Sequence, residues 1–223
     1  KKLTEKLPAS LNGIRPMLIY PLGGLLAIGA VMCGTNPVMG IINTAISTWL
    51  NSMGDTSRVL MGAIVAALMG IDMGGPLNKA TYVFGTAALA SGNYEIMASV
   101  MVGGMVPPIV IALSTTFFPK KWTADESRNG IINYVMGLCF VTEGAIPYAA
   151  TDPLRVIPSC AIGSALAGAL SMVFGCALRA PHGGIFVFPV VEHAPLYLVA
   201  LAAGSMVGAL LLSVLKKTKT EEA

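Results

Sequence analysis

Glu143 is the residue that most needs a reason. It stands in CFVTEGAIPYAATDPLRVIPS, residues 139–159, between two apolar runs, with Asp152 and Arg155 nearby and prolines at 147, 153 and 158. No basic residue lies within four positions of it on either side. An ionised carboxylate in hydrocarbon costs on the order of a few kcal/mol even on the mildest scale. It must therefore bind something, be protonated, or meet water. Carboxylate oxygens accept from neighbouring hydroxyls, which is the chemistry of polyol recognition. The plainer role is a helix-end cap pointing into a loop. Thr142 and Gly144 flank it as further candidate ligands, Gly144 because a missing side chain admits close approach. Pro147 stops any helix from running on.

Three other groups can do chemistry. DMGGPLNK, residues 72–79, joins Asp72, two glycines, a proline, Asn78 and Lys79. Asn78 offers both donor and acceptor, Lys79 can neutralise Asp72 or a carboxylate elsewhere, and Gly75 clears space beside them. An ion pair holding a helix break is the structural alternative. The stretch lacks G-x-x-x-x-G-K-[ST], which excludes a phosphate-cradling loop. Asp152 and Arg155, three apart, fit an N-cap and first-turn pair with Pro153 at the first helical position. The functional alternative is a basic mouth for an anionic partner or product. RAPHGGIFVFP, 179–189, places His182 before Gly183 and after a proline, and a neutral imidazole can bond a hydroxyl and titrates near neutral pH. His193 precedes a span and reads as interfacial. One useful His without a second ligand at metal spacing predicts no metal, and no cofactor motif is present. Cys33, Cys139, Cys160 and Cys176 form no C-x-x-C pair and read as structural thiols.

The elements that must carry these groups are apolar. Only 11% of the 223 residues are charged, against about 25% in a soluble domain, and the mean hydropathy is +0.74. The reading is an all-α polytopic membrane protein, a transmembrane helix bundle with re-entrant or broken-helix segments. Basic residues gather at Lys1, Lys2 and Lys6, at Lys120, Lys121 and Arg128, and at Lys216, Lys217 and Lys219. These places should face the cytoplasm. No basic face interleaved with aromatics suggests nucleic acid.

Residues 1–16 read as a cytoplasmic connector, 17–215 as the membrane domain and 216–223 as a cytoplasmic tail. Apolar spans are expected at 17–34, 57–73, 95–118 (interrupted by Pro107-Pro108), 129–141, 157–178 and 195–215. Residues 38–50 should form an amphipathic interfacial helix with Trp49 among headgroups. Thr123 and Glu126 have capping-box spacing. Small residues four apart, Gly163 with Ala167 and Ala165 with Ala169, mark helix contacts. An even number of crossings between basic loops asks 76–90 to cross as well, and after Lys121 either one span fails to cross or an irregular stretch supplies the difference. The 139–159 region is the candidate, as a re-entrant hairpin. Irregular backbone at membrane depth survives only inside protein or along a wet cavity, and paired broken segments point to a transporter's binding site.

Three stretches, DMGGPLNKATYVFG, FVTEGAIPYAATDPLRVIPS and LRAPHGGIFVFP, closely resemble the membrane component, enzyme IIC, of bacterial fructose-family sugar phosphotransferase systems. The resemblance runs through nearly the whole chain. It implies a homodimeric permease, multi-pass in the bacterial inner membrane, that takes a fructose-like sugar from outside. The sugar is held for phosphorylation by a cytoplasmic IIB cysteine, charged in turn from IIA. It also implies Glu143 as a sugar ligand of the re-entrant loop, with Asn78, Lys79 and His182 on the same cavity. By analogy with related families, Glu143 and His182 stand beside the hydroxyl that reacts. A complete enzyme IIC has helices before the point where this chain starts, and the phosphoryl-donating domains are expected on other segments or chains. An ion-coupled secondary sugar transporter, with Glu143 or Asp72 as coupling carboxylate, is the alternative, and a non-transporting sugar sensor a third reading.

Overall fold

A computed structural model of the chain describes residues 20–52 and 58–217. The chain divides into two compact units, Lys1–Ala45 and Ile46–Ala223. The described part of the first unit lies in helix α1 (Tyr20–Ser52), which runs unbroken through Pro37. Residues 38–50, expected as a separate interfacial helix, thus continue α1; the side chain of Trp49 lies outside the described residues. So does the whole of the expected connector, 1–16.

The second unit contains α2 (Arg58–Ile71), α3 (Pro76–Ala90), α4 (Tyr94–Phe117), α5 (Ala124–Gly130), α6 (Ile132–Leu138), α7 (Ile146–Thr151), α8 (Pro153–Val173) and α9 (Ala194–Leu215). Two-residue strands β1 (Ala177–Leu178) and β2 (Val191–Glu192) pair antiparallel beside the 179–190 loop. This is an all-α membrane protein. Among the described residues, α4, α8 and α9 are long and apolar enough to cross a bilayer.

Helix α4 is the axis of the bundle. Met97, Val100, Met101, Met105, Val106, Val110 and Ile111 are all fully buried on it. The expected interruption at Pro107-Pro108 does not occur, because α4 continues through both prolines. Proline lacks an N–H, so positions 107 and 108 leave the carbonyls of Gly103 and Gly104 without helical donors. Side chains from elsewhere replace them. Ser164 Oγ donates to the Gly103 carbonyl at 2.9 Å, and Thr142 Oγ1 to the Gly104 carbonyl at 2.7 Å. The glycines themselves let neighbours come that close: a Cβ on Gly103 would lie 2.5 Å from Ala66 Cα.

The same logic joins α8 to its neighbours. Gly163 faces Gly204 and Gly208 of α9, and Gly168 faces Gly62 of α2, with backbone carbonyls where side chains would be. Of the small residues expected to mark contacts, Gly163 and Ala167 do so against α9, through dispersion between closely approached backbones. Thr123 caps α5 with both bonds of a capping box.

Residues 129–141 do not form a single span. They are divided among the end of α5, α6 and the turn after it, and α6 has seven residues, about 10 Å of rise where the hydrocarbon core needs ~30 Å. The chain then turns at 139–145 and continues into the six-residue α7. The physical reason is local: Phe140 takes a left-handed conformation, φ 62°, which no α-helix can continue through.

Candidate functional site

The first broken segment lies between α2 and α3. Met73 and Gly74 both have positive φ, 49° and 109°, so the chain reverses within two residues. The reversal carries Asp72 back over the N-terminus of α3. Its carboxylate accepts from the amides of Leu77, 2.7 Å, and Asn78, 3.0 Å. The N-cap position is Gly75, which has no side chain to do this. A Cβ there would lie 2.6 Å from Asp72 Oδ2, so glycine is what lets the acid serve as the cap. The buried Asn78 donates from Nδ2 to the Met69 carbonyl at 2.9 Å, tying α3 to the last turn of α2. Asp72 and Asn78 therefore hold the break; Lys79, one residue on, is exposed.

The second broken segment is the turn carrying Glu143. Helix α6 ends with the Val141 amide bonded to the Met136 carbonyl at 2.8 Å, a Schellman-type closure with Phe140 at the left-handed position. Helix α8 ends in the same way with Gly175 there, φ 64°. A non-glycine residue in this conformation costs about 1–2 kcal/mol, and it persists only where its surroundings hold it. The Phe140 ring supplies that hold. It fills the space a Cβ would take at Gly104 of α4 and at Gly183 of the 179–190 loop. Two residues later Thr142 is pinned to the Gly104 carbonyl, and Glu143 follows in a 3-10 turn over Thr142–Ala145.

Glu143 meets the first segment directly. A Cβ on Gly74 would lie 2.7 Å from its Oε1, and Lys79 Nζ is 3.9 Å from the same oxygen. Both side chains are more than half exposed, so the pair is weak and easily rearranged by a ligand. The basic partner that its own stretch lacks comes from α3, far back in the chain.

The third segment packs on the same hinge. Tyr82 of α3 donates to the Pro181 carbonyl at 2.6 Å, and the His182 ring sits edge-on to Phe140, centroids 5.5 Å apart. His182 Nδ1 lies 2.6 Å from the Gly183 carbonyl. A carbonyl only accepts, so Nδ1 carries a proton in this bond.

An open cleft of about 460 Å³ runs from Glu143 and Gly144 to α5 and α6, lined by Asp125, Asn129, Asn133, Met136 and Tyr148 among others. Asn133 did not stand out in the sequence. The only hint of it is a single amide inside the apolar run IINYVMGL.

Asp152 and Arg155 form a different cluster. Arg155 bonds both carboxylate oxygens of Asp152, at 3.1 and 3.0 Å, and Lys216 Nζ reaches Asp152 Oδ2 at 3.3 Å. Lys216, expected to open a solvent tail, is 5% exposed. It lies over the Trp122 ring at 4.0 Å, and its carbonyl accepts from Lys121 Nζ at 2.8 Å. Asp152 occupies the N-cap position of α8, yet its side chain bonds no helix amide there. The cluster clamps the ends of α8 and α9 to the 119–122 loop, and its ion pairs are separate from the one between Glu143 and Lys79. Among the described residues no three His, Cys, Asp or Glu side chains gather as metal ligands.

The chain is 49% identical over 224 aligned residues to the fructose permease IIC component of Bacillus amyloliquefaciens, covering all of this chain and 73% of that protein. It is 48% identical over 224 residues to the fructose-specific EIIABC component of Bacillus subtilis, and spans 35% of its length. The chain belongs to the fructose-specific enzyme IIC family of the phosphotransferase system. The fructose-specific EIIB'BC component of Escherichia coli is 43% identical over 221 residues, 97% of this chain and 39% of that one. No family model and no solved structure matches the chain. In this enzyme IIC, the three stretches that carried the resemblance are the three segments that meet around Phe140 and Glu143. Asp72, Gly75, Asn78 and Thr142 make the close contacts and hydrogen bonds that hold the two breaks, while Glu143 and Lys79 pair only loosely.

Proposed function

We propose that this chain binds and translocates a fructose-like sugar across the bacterial inner membrane, as the permease part of a phosphotransferase system. The observation that carries the reading is Glu143: a carboxylate held by two broken segments, with only a loose lysine partner, at the head of a cleft of sugar-holding size. Its two oxygens accept hydroxyls and Lys79 balances the charge, while His182 packs on Phe140 behind the turn and is not among the residues that line the cleft. Thr142 and Phe140 act through Glu143, fixing the turn on α4.

The far wall of the cleft is α5, which follows Lys120 and Lys121, and basic loops of this kind favour the cytoplasmic side. The carboxylate thus opens toward the side from which a phosphoryl donor arrives. In the B. subtilis and E. coli relatives, IIB and IIC are named as parts of one protein, which supports a cytoplasmic IIB as the partner here. Phosphorylation adds about −2 of charge, and an apolar barrier then rejects the product. The protein works as a multi-pass dimer embedded in lipid.

Two measurements test this. Glu143→Gln should abolish fructose binding while the protein keeps its size-exclusion profile, and retained binding would remove Glu143 from the site. Uptake into vesicles should require phosphorylated IIB and deliver sugar phosphate. Accumulation of unmodified sugar that collapses with the ion gradient would favour an ion-coupled carrier instead.

A further inference from the structure

The cleft holds a second polar group that the mechanism above does not use. Asn133 is 1% exposed, its Oδ1 has no hydrogen-bond partner among the described residues, and it lines the same cleft as Glu143. Its neighbours Ile131, Ile132 and Val135 are exposed, whereas Asn133 turns inward. Buried amides are nearly always bonded, so an unpaired acceptor on a residue that lines a cleft is a place for a ligand donor, which has to part the cover over Oδ1 to reach it. Its position is tightly set. A Cβ on Gly144 would overlap Asn133 Oδ1 and Met136 Sδ, so the residue after Glu143 has to be small for the amide to stand where it does.

We propose that Asn133 is a second sugar ligand, accepting from a different hydroxyl than the one held by Glu143; the proposal rests on the sugar-binding reading of the cleft. An amide suits this role beside a carboxylate. It fixes orientation without adding to the negative charge of Glu143, Asp125 and Glu126 on the cleft, which an incoming phosphoryl group meets as repulsion. Two acceptors on adjacent segments, one charged and one neutral, read the spacing of two hydroxyls on one ring, and that spacing separates one sugar from another.

The test is fructose binding by titration calorimetry to the full-length permease, for wild type, Asn133→Ala, Asn133→Ser and Glu143→Gln, repeated with each monodeoxyfructose. Asn133→Ala should weaken fructose binding about tenfold, the effect of losing one neutral hydrogen bond. One deoxy analogue should bind wild type about tenfold more weakly than fructose and bind Asn133→Ala with no further loss. Wild-type affinity in Asn133→Ala, or a uniform loss with an unchanged analogue ranking, overturns the proposal. Should Asn133→Ala fail to fold, Asn133→Ser decides, since its shorter reach must change the ranking. Glu143→Gln separates the two claims. If it binds fructose normally, the cleft reading itself fails; if it loses binding while the Asn133 variants do not, only the present inference falls.

Discussion

Thr142→Val is the sharpest probe of how this site is held. The substitution keeps a β-branched side chain of nearly the same shape and removes one hydroxyl. That hydroxyl donates to the Gly104 carbonyl at 2.7 Å, and the carbonyl has no helical donor because position 108 is proline. Thr142 is 4% exposed and Gly104 is buried, so water does not replace the bond. A buried carbonyl stripped of its donor costs about 1–3 kcal/mol. The loss falls on the turn that carries Glu143, so the melting temperature in detergent should drop by several degrees and fructose affinity should weaken with it. A direct ligand role for Thr142, as the sequence suggests, would also weaken binding. Pro108→Ala distinguishes them, because it returns an N–H that can bond the Gly104 carbonyl. In that background Thr142→Val should cost less than half as much in both stability and affinity, a coupling of about 1 kcal/mol. An affinity penalty that is the same whether or not Pro108 is present would refute the frame role and make Thr142 a ligand.

Burial alone would raise the Asp152 carboxyl, but hydrogen bonds and charge from Arg155 and Lys216 outweigh it and hold the group below its ordinary 3.8. A depressed carboxyl stabilises the fold above its unfolded value and loses that contribution as pH falls through the folded value. Asp152→Asn should therefore lower stability by about 3 kcal/mol near neutral pH, where it leaves Lys216 buried without its counter-charge. The gap to wild type should narrow below about pH 4; melting curves from pH 3 to 8 check the trend, and a gap that widens on acidification would contradict it. Gly168→Ala places a methyl group against the Gly62 carbonyl and Ala66 Cβ, so α2 and α8 must part. Overpacking of this kind costs about 1–3 kcal/mol, readable as a lower melting temperature with no change in fructose affinity for the molecules that remain folded.

Much of the architecture was open to local reading because its causes are local. Apolar runs long enough for hydrocarbon marked α4, α8 and α9. Glycines and a proline marked the break at 72–76, the capping box marked α5, and Gly163 with Ala167 on α8 foretold its contact with α9. The 129–141 stretch misled because it is apolar enough to look like a crossing, while Phe140, which carries no helix-breaking signature, ends α6. The prolines at 107 and 108 misled in the opposite direction, since a proline breaks a helix only when the freed carbonyls find no other donor.

Composition and the order of apolar and broken segments thus sufficed to make this a membrane helix bundle with an acidic turn inside it. They could not say which polar groups serve the frame and which are left free. That division depends on partners far apart in the chain: Thr142 with Gly104, Ser164 with Gly103, Glu143 with Lys79, Asp152 with Lys216. Asp72, Asn78 and Thr142 look like ligands in one dimension and make fastening hydrogen bonds in three, whereas Asn133, unremarkable in its run, is the buried amide beside Glu143 whose Oδ1 has no partner among the described residues. A hydrogen bond is decided by where its two ends meet, and only folding brings those ends together.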